Sequence, residues 1–232
     1  FGEGNKETLL MFQCAAEPWW VFNPSAKAIS KDFRVFLFIS DGHDEMGTDF
    51  VSIEKNVEQA VSYLHGKGVR ALDMAYGVSM GGASVMYMLA HQAMPVKKAI
   101  VDAGITPYSY PKYVCRMIAV KDYLLLRIAF KSLRLMKMLM PPERWTPEGE
   151  DSQEHYQKLF EFGKYHYSGK TIYNVFWSAN NYPMPDSIPT VNTEMEYWYG
   201  EEEKRARKNN IAYAKKAFPQ IIQKEFKGLQ HA

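Results

Sequence analysis

The chain has 232 residues, 47% hydrophobic and 23% charged, the balance of an ordinary folded globule near the upper size that one core supports. A formal net charge of +2 leaves little long-range field to gather nucleic acid, so any charge-based role rests on a local patch. Cys14 and Cys115 lie far apart without CxxC or Cys/His ligand spacing, which argues against a disulfide framework and structural zinc and fits a reducing cytoplasm, and no apolar run is long enough for stable membrane insertion.

Residues 9–13 (LLMFQ) and 35–39 (VFLFI) are short apolar runs of the kind that form strands buried on both faces, with helix-compatible residues 23–30 between them. Phe50, Ile53, Val57, Val61 and Leu64 recur at three-to-four spacing, which predicts an amphipathic helix over 49–64. Residues 71–76 (ALDMAY) read as a strand running straight into Gly77–Val78–Ser79–Met80–Gly81–Gly82, after which 83–91 resume as a helix. A further strand at 98–102 (KAIVD) completes an alternation that predicts an α/β class, with a mostly parallel sheet and helices on both faces.

From 105 to about 190 the alternation stops and helical stretches punctuated by Pro107, Pro111, Pro141 and Pro142 take over. The chain therefore divides into a first core part (1–104), an inserted helical cap (105–190) and a second core part (191–232). In the last part, 194–199 (EMEYWY) reads as a strand, 202–217 as a helix and 223–226 as a short strand. Basic residues are spread through the apolar stretch 113–140. They could serve an anionic membrane surface, but the expectation is that they are the wet face of helices whose apolar face closes a pocket. Trp177, Tyr182, Met184 and Trp198 are expected to suit that pocket's wall.

A serine between strand and helix needs a strained backbone, and the positions two before and two after it come too close for side chains. Gly77 and Gly81 meet that need around Ser79, Gly82 adds room for the helix, and the elbow serine is expected to be exposed at the surface. The helix that follows would place its positive end beneath Ser79, where it favours an anionic intermediate. No GxxxxGK[ST] run or GxGxxG order points to a phosphate or dinucleotide loop.

These features resemble the α/β-hydrolase superfamily. GVSMGG resembles the family's nucleophile elbow, Ser40–Asp41–Gly42–His43 its early D-x-x-G-H-G loop, and the terminal GLQHA its histidine segment. Together with SANNY and YWYGEEE, the segments DGHDE and TDFVSIE are also similar to bacterial α/β-hydrolases of the clostridial type. The resemblance implies the order Ser79, acid, His231. Glu203, third after Gly200, is the first choice for the acid, with Glu202 and Asp102 as alternatives, although EEEKRARK also suits a solvated helical turn. The oxyanion hole is expected to combine the Met80 N–H with that of Cys14 or Ala15, in a loop that reads Gln13–Cys14 where many relatives have His–Gly. Cys14 itself reads as a buried small residue.

The resemblance implies a serine hydrolase cleaving a carboxylic ester or similar acyl bond of a small molecule, with no metal or organic cofactor. A binding protein on the same fold, slow or inactive in catalysis, is the alternative. Relatives carry strands before the one matching residues 9–13 and a helix after the histidine, so the chain is expected to be trimmed, with His231 mobile.

Overall fold

The computed structural model describes residues 1–107, 110–140 and 151–229. Six strands, β1 (Thr8–Phe12), β2 (Arg34–Phe38), β3 (Leu72–Val78), β4 (Val96–Asp102), β5 (Glu194–Gly200) and β6 (Ile222–Phe226), form one sheet in the order β2-β1-β3-β4-β5-β6. Every pair is parallel. Parallel neighbours need crossovers, and the helices supply them: α1 (Asn23–Ile29), α2 (Ile53–Gly66), α3 (Met80–Ala90) and α8 (Lys204–Ala217). Between β4 and β5 the crossover is much longer and holds α4 (Lys112–Ala129), α5 (Leu133–Leu139), α6 (Ser152–His166) and α7 (Gly169–Ala179).

The alternation of side chains along β1 splits the core. Leu10 and Phe12 face Val57, Leu64, Val85 and Leu89 of α2 and α3, while Leu9 and Met11 share the other side with Val35 of β2 and Ala26 of α1. Apart from Tyr87, all of α3 is buried, because α2 and the sheet take one side of it and α7 another. No helix among the described residues is long and apolar enough to cross a membrane.

The helix expected over 49–64 starts later, at Ile53, because Ser52 is extended (φ −164°, ψ 167°) and its hydroxyl accepts from the Lys55 N–H. The segment ahead of it is fastened to α7. The Phe50 N–H donates to Thr171 Oγ1 at 3.1 Å, Asn174 Nδ2 donates to the Phe50 carbonyl at 2.8 Å, and the Ile53 N–H donates to Ser178 Oγ at 2.8 Å.

Candidate active site

At the junction of β3 and α3, Ser79 takes φ 54° and ψ −109°, a conformation that no neighbouring residue of the strand or helix shares. Its backbone is clamped from three sides: its N–H donates to the Asp102 carbonyl at 2.8 Å, and its carbonyl accepts from Ala83 at 3.3 Å and Ile105 at 3.1 Å. A Cβ on Gly77 would meet the Gly81 carbonyl, and one on Gly81 the Phe12 and Gln13 carbonyls. Gly82 lies so near Gly104 that a Cβ there would sit 2.6 Å from the Gly104 Cα. The expected exposure is not found. Ser79 is only 5% exposed, with Cys14 of the loop after β1 beside it and Asp102 and Ile105 bonded to its backbone.

That loop, residues 13–17, keeps its shape without His–Gly. Gln13 Nε2 donates to the Glu17 carbonyl at 2.9 Å, and Gln13 Oε1 accepts from the Ser40 N–H at 3.3 Å. The Ala16 N–H donates to His43 Nε2 at 3.2 Å, so the proton of this neutral imidazole is on Nδ1, 3.2 Å from the Asp41 carbonyl that receives it. Burial holds His43 down at about 4, which keeps it an acceptor. The DGH motif thus marks a positioning residue for the loop. Cys14 is buried beside Ser79; burial, with the Glu17 charge added, pushes its thiol well up, so it stays protonated, as a small packing residue should.

Two groups here were missed by sequence reading. Burial pushes the Glu17 carboxyl up to about 7, and its charge is felt by Cys14, Tyr76 and Tyr167. Tyr167, between α6 and α7, is buried against His43, Phe130 and Phe162, and its hydroxyl has no hydrogen-bond partner among the described residues. In the sequence Glu17 is one acid in AEPWW and Tyr167 one of 15 tyrosines, and only tertiary packing distinguishes them.

The expected acids separate. Glu203 is buried, with Oε1 accepting from the Gly200 N–H at 3.3 Å and Oε2 from Arg207 Nε at 2.9 Å. Glu202 is exposed, and its backbone N–H donates to Leu229. Asp102 stands at the end of β4 beside Val78, and its Oδ2 accepts from the Tyr76 hydroxyl at 2.8 Å. His231 lies outside the described residues. Met80 is fully buried at the first position of α3, where a helix start leaves the N–H without an intrahelical partner. Among the described residues no group of three or more His, Cys, Asp or Glu side chains could hold a metal ion.

The expected apolar wall is not one wall. Tyr182 packs on Met80 and Ala83 and donates to the Ile105 carbonyl at 3.0 Å, with Met184 against the same cluster. Trp177 instead lies under Arg116 of α4, 5.9 Å away. Trp198, on β5, packs against Phe226 with its Nε1 on Glu196, because alternation along the strand turns it away from Tyr197 and the α3 face.

This parallel sheet with its surrounding helices has counterparts among solved structures. An alpha/beta hydrolase enzyme from a Medee basin deep-sea metagenome library superposes with a TM-score of 0.77 at 11% identity, over 98% of this chain and 83% of that one. This chain has the α/β-hydrolase fold. An alpha/beta hydrolase family protein from Desulfitobacterium hafniense gives 0.70 at 15% identity (97% and 88% covered), and the enol-lactonase from Burkholderia xenovorans 0.65 at 17% (99% and 85%). No family model and no curated protein matches the sequence.

Two expected outcomes follow from this geometry. Gly81→Ala drives a methyl into the Phe12 carbonyl and is expected to destabilise the fold by about 1–3 kcal/mol or more in urea unfolding, whereas Gly47→Ala, where a Cβ meets nothing but φ is +73°, costs no more than the strain of that turn. Glu17 titrates at its ordinary 4.5 when unfolded and at about 7 when folded, so the fold prefers its protonated form. The stability this gives is complete below pH 4.5 and is lost as pH rises through 7. Glu17→Gln is therefore expected to melt above the parent at pH 8 and with it at pH 4.5; equal melting temperatures at both pH values would contradict the burial.

Proposed function

We propose that this chain is a serine hydrolase that cleaves a carboxylic ester, or a similar acyl bond, of a small molecule through an acyl-enzyme. The observation that carries this reading is the Ser79 backbone, held at positive φ by three hydrogen bonds where a buried helix begins. Strain of this kind costs on the order of 1–3 kcal/mol and persists only where the surroundings impose it, as a nucleophile elbow does. In this reading Ser79 Oγ attacks the acyl carbon while His231 accepts its proton. The oxyanion is held by the N–H of Met80 and one from Cys14 or Ala15, and His231 returns the proton to the leaving alcohol. Water, deprotonated by the same imidazole, then releases the acid. No metal or organic cofactor enters this chemistry.

Residues 105–190 act as the cap over the acyl-binding space, and the free Tyr167 hydroxyl offers a bound substrate a hydrogen bond. Neighbours of the same fold include an esterase, the enol-lactonase and carboxylesterases, whose names describe ester chemistry. Both cysteines are free and buried, in keeping with a reducing compartment such as a bacterial cytoplasm. One observation favours the second reading, a binding protein of low turnover: Cys14 places a side chain against Ser79 in a nucleophile site that is almost closed.

Ser79→Ala is expected to abolish covalent labelling by a fluorophosphonate while the melting temperature stays within a few degrees, since only Oγ is removed. Labelling that survives in the variant removes Ser79 as nucleophile, and a folded parent that neither labels nor hydrolyses p-nitrophenyl esters favours the binding protein.

The acid is assigned by comparing Glu203→Gln with Asp102→Asn. Glu203 is the first candidate, and its loss is expected to lower kcat by about 10⁴-fold with little change in KM. A mild Glu203→Gln effect beside a severe Asp102→Asn effect would move the acid to the end of β4 and leave Glu203 as the brace that holds Arg207.

A further inference from the structure

Helix α4 is packed with its small side upon the protein. Cys115, Ala119, Leu126 and Ala129 are its buried residues, and it lies along α7 with Tyr123 against Tyr173. The opposite side was expected to be wet and basic. Instead Tyr113 (69% exposed), Met117 (68%), Val120 (40%), Leu124 (50%) and Ile128 (41%) stand in solvent. Their spacing of four, three, four and four residues puts all five on one stripe along the helix. Leu125 widens the stripe, and Met138 on α5 is a further exposed apolar residue, 69% accessible. Single exposed apolar residues need no explanation, but an unbroken row along a five-turn helix does.

The charges beside the stripe have one sign. Arg116 and Arg127 flank it on one side and Lys121 on the other, with Lys112 at the start of the helix and Lys131 and Arg134 just beyond it, all exposed. The one acid on α4, Asp122, is half-buried and paired with Lys121 at 3.0 Å. Lys112, Arg116, Lys121 and Trp177 share a shallow groove with Tyr113 and Met117, and among the described residues no acid lines it. The overall charge of +2 conceals this local patch.

We propose that the outer face of α4 docks the protein onto an anionic lipid surface, with the apolar stripe entering the headgroup–acyl boundary and the flanking arginines and lysines meeting lipid phosphates. An apolar row bordered by cations is what a helix lying in the plane of a bilayer needs. The binding is peripheral, since no described helix can span the membrane. It requires nothing of Ser79 and stands whatever the chain hydrolyses.

The test is co-sedimentation of the whole chain with extruded vesicles of phosphatidylglycerol and phosphatidylcholine, and with vesicles of phosphatidylcholine alone. Binding is expected to the first set, at least ten-fold weaker to the second, and to fall as salt rises. Leu124→Asp with Met117→Asp, and separately Arg116→Glu with Lys121→Glu, are each expected to lower partitioning at least ten-fold. These positions are exposed, so circular dichroism should show unchanged folding; Lys55→Glu, on the exposed side of α2, is the charge control and should bind nearly as the parent does. Vesicle binding that survives both double variants, or is absent from the parent, overturns the proposal. So does a dimer in sedimentation velocity that Leu124→Asp dissociates while vesicles bind nothing, because a second copy would then be the occupant.

Discussion

Backbone packs against backbone at the elbow, and the rest of the fold is arranged around that contact. Gly81 rests on the carbonyls that end β1, Gly82 rests on Gly104 after β4, and Gly77 faces Gly81 across the turn. A side chain at any of these positions would separate β3 from a neighbouring strand or α3 from the sheet. The same approach aligns three strand ends, so the loops after β1 and β4 converge on Ser79, and it is why a central strand runs without interruption into a buried helix. The strain at Ser79 is offset by packing, since α3 is surrounded by sheet, α2 and α7, and a helix so enclosed cannot relax the turn that starts it.

The loop after β1 solves a different problem. Without His–Gly, it holds its shape through polar contacts drawn from the loop after β2: Ser40 to Gln13, and His43 to Ala16, which itself sits at φ 57°. This arrangement needs a neutral imidazole. His43 ordinarily titrates at 6.5 but at about 4 when buried here, so the loop loses support only as pH falls through that interval, well below the range in which Ser79 chemistry would operate. Burial moves the Glu17 carboxyl the opposite way, up to about 7, with no cation among the described residues to offset it. The Ser40 and Tyr167 hydroxyls are buried in this region without a hydrogen-bond partner among the described residues.

Much of this was legible in the sequence. Strands buried on both faces are continuous apolar runs, so β1 to β4 could be read within two residues, and the glycine spacing around Ser79 has a steric cause that needs no knowledge of neighbours. What could not be read depends on who packs against whom. Ser52 delays the start of the amphipathic helix because a local side-chain cap outweighs the periodicity of Phe50, which packs with α7 instead. Trp198 was misplaced because sheet alternation, not apolarity, decides which face a residue joins. Glu203 was found as a buried carboxylate, yet its contacts with Arg207 and Gly200 are also those of a brace, and residue identity alone cannot separate the two roles.

Helix α4 shows most clearly how a periodic pattern misleads. Both of its stripes are apolar, so the hydrophobic period identifies a helix but does not say which side is inside. The answer follows from size. A close helix–helix approach selects Cys115, Ala119 and Ala129, and it leaves the larger Tyr113, Met117 and Leu124 outside. The partner helix α7 is fastened to residues 49–53 by directed hydrogen bonds, and through Val175 and Ala179 it packs on Met80 beside Ser79. The seam between α4 and α7 is made of different contacts, Tyr123 on Tyr173 and Arg116 over Trp177. Directed bonds fix α7 to residues 49–53, whereas its seam with α4 is side-chain packing, an edge-on ring pair and a cation over a ring. Helix α7 therefore links residues 49–53 and Met80 on one side to α4 on the other, and a surface held by α4 bears on the protein one layer away from the elbow.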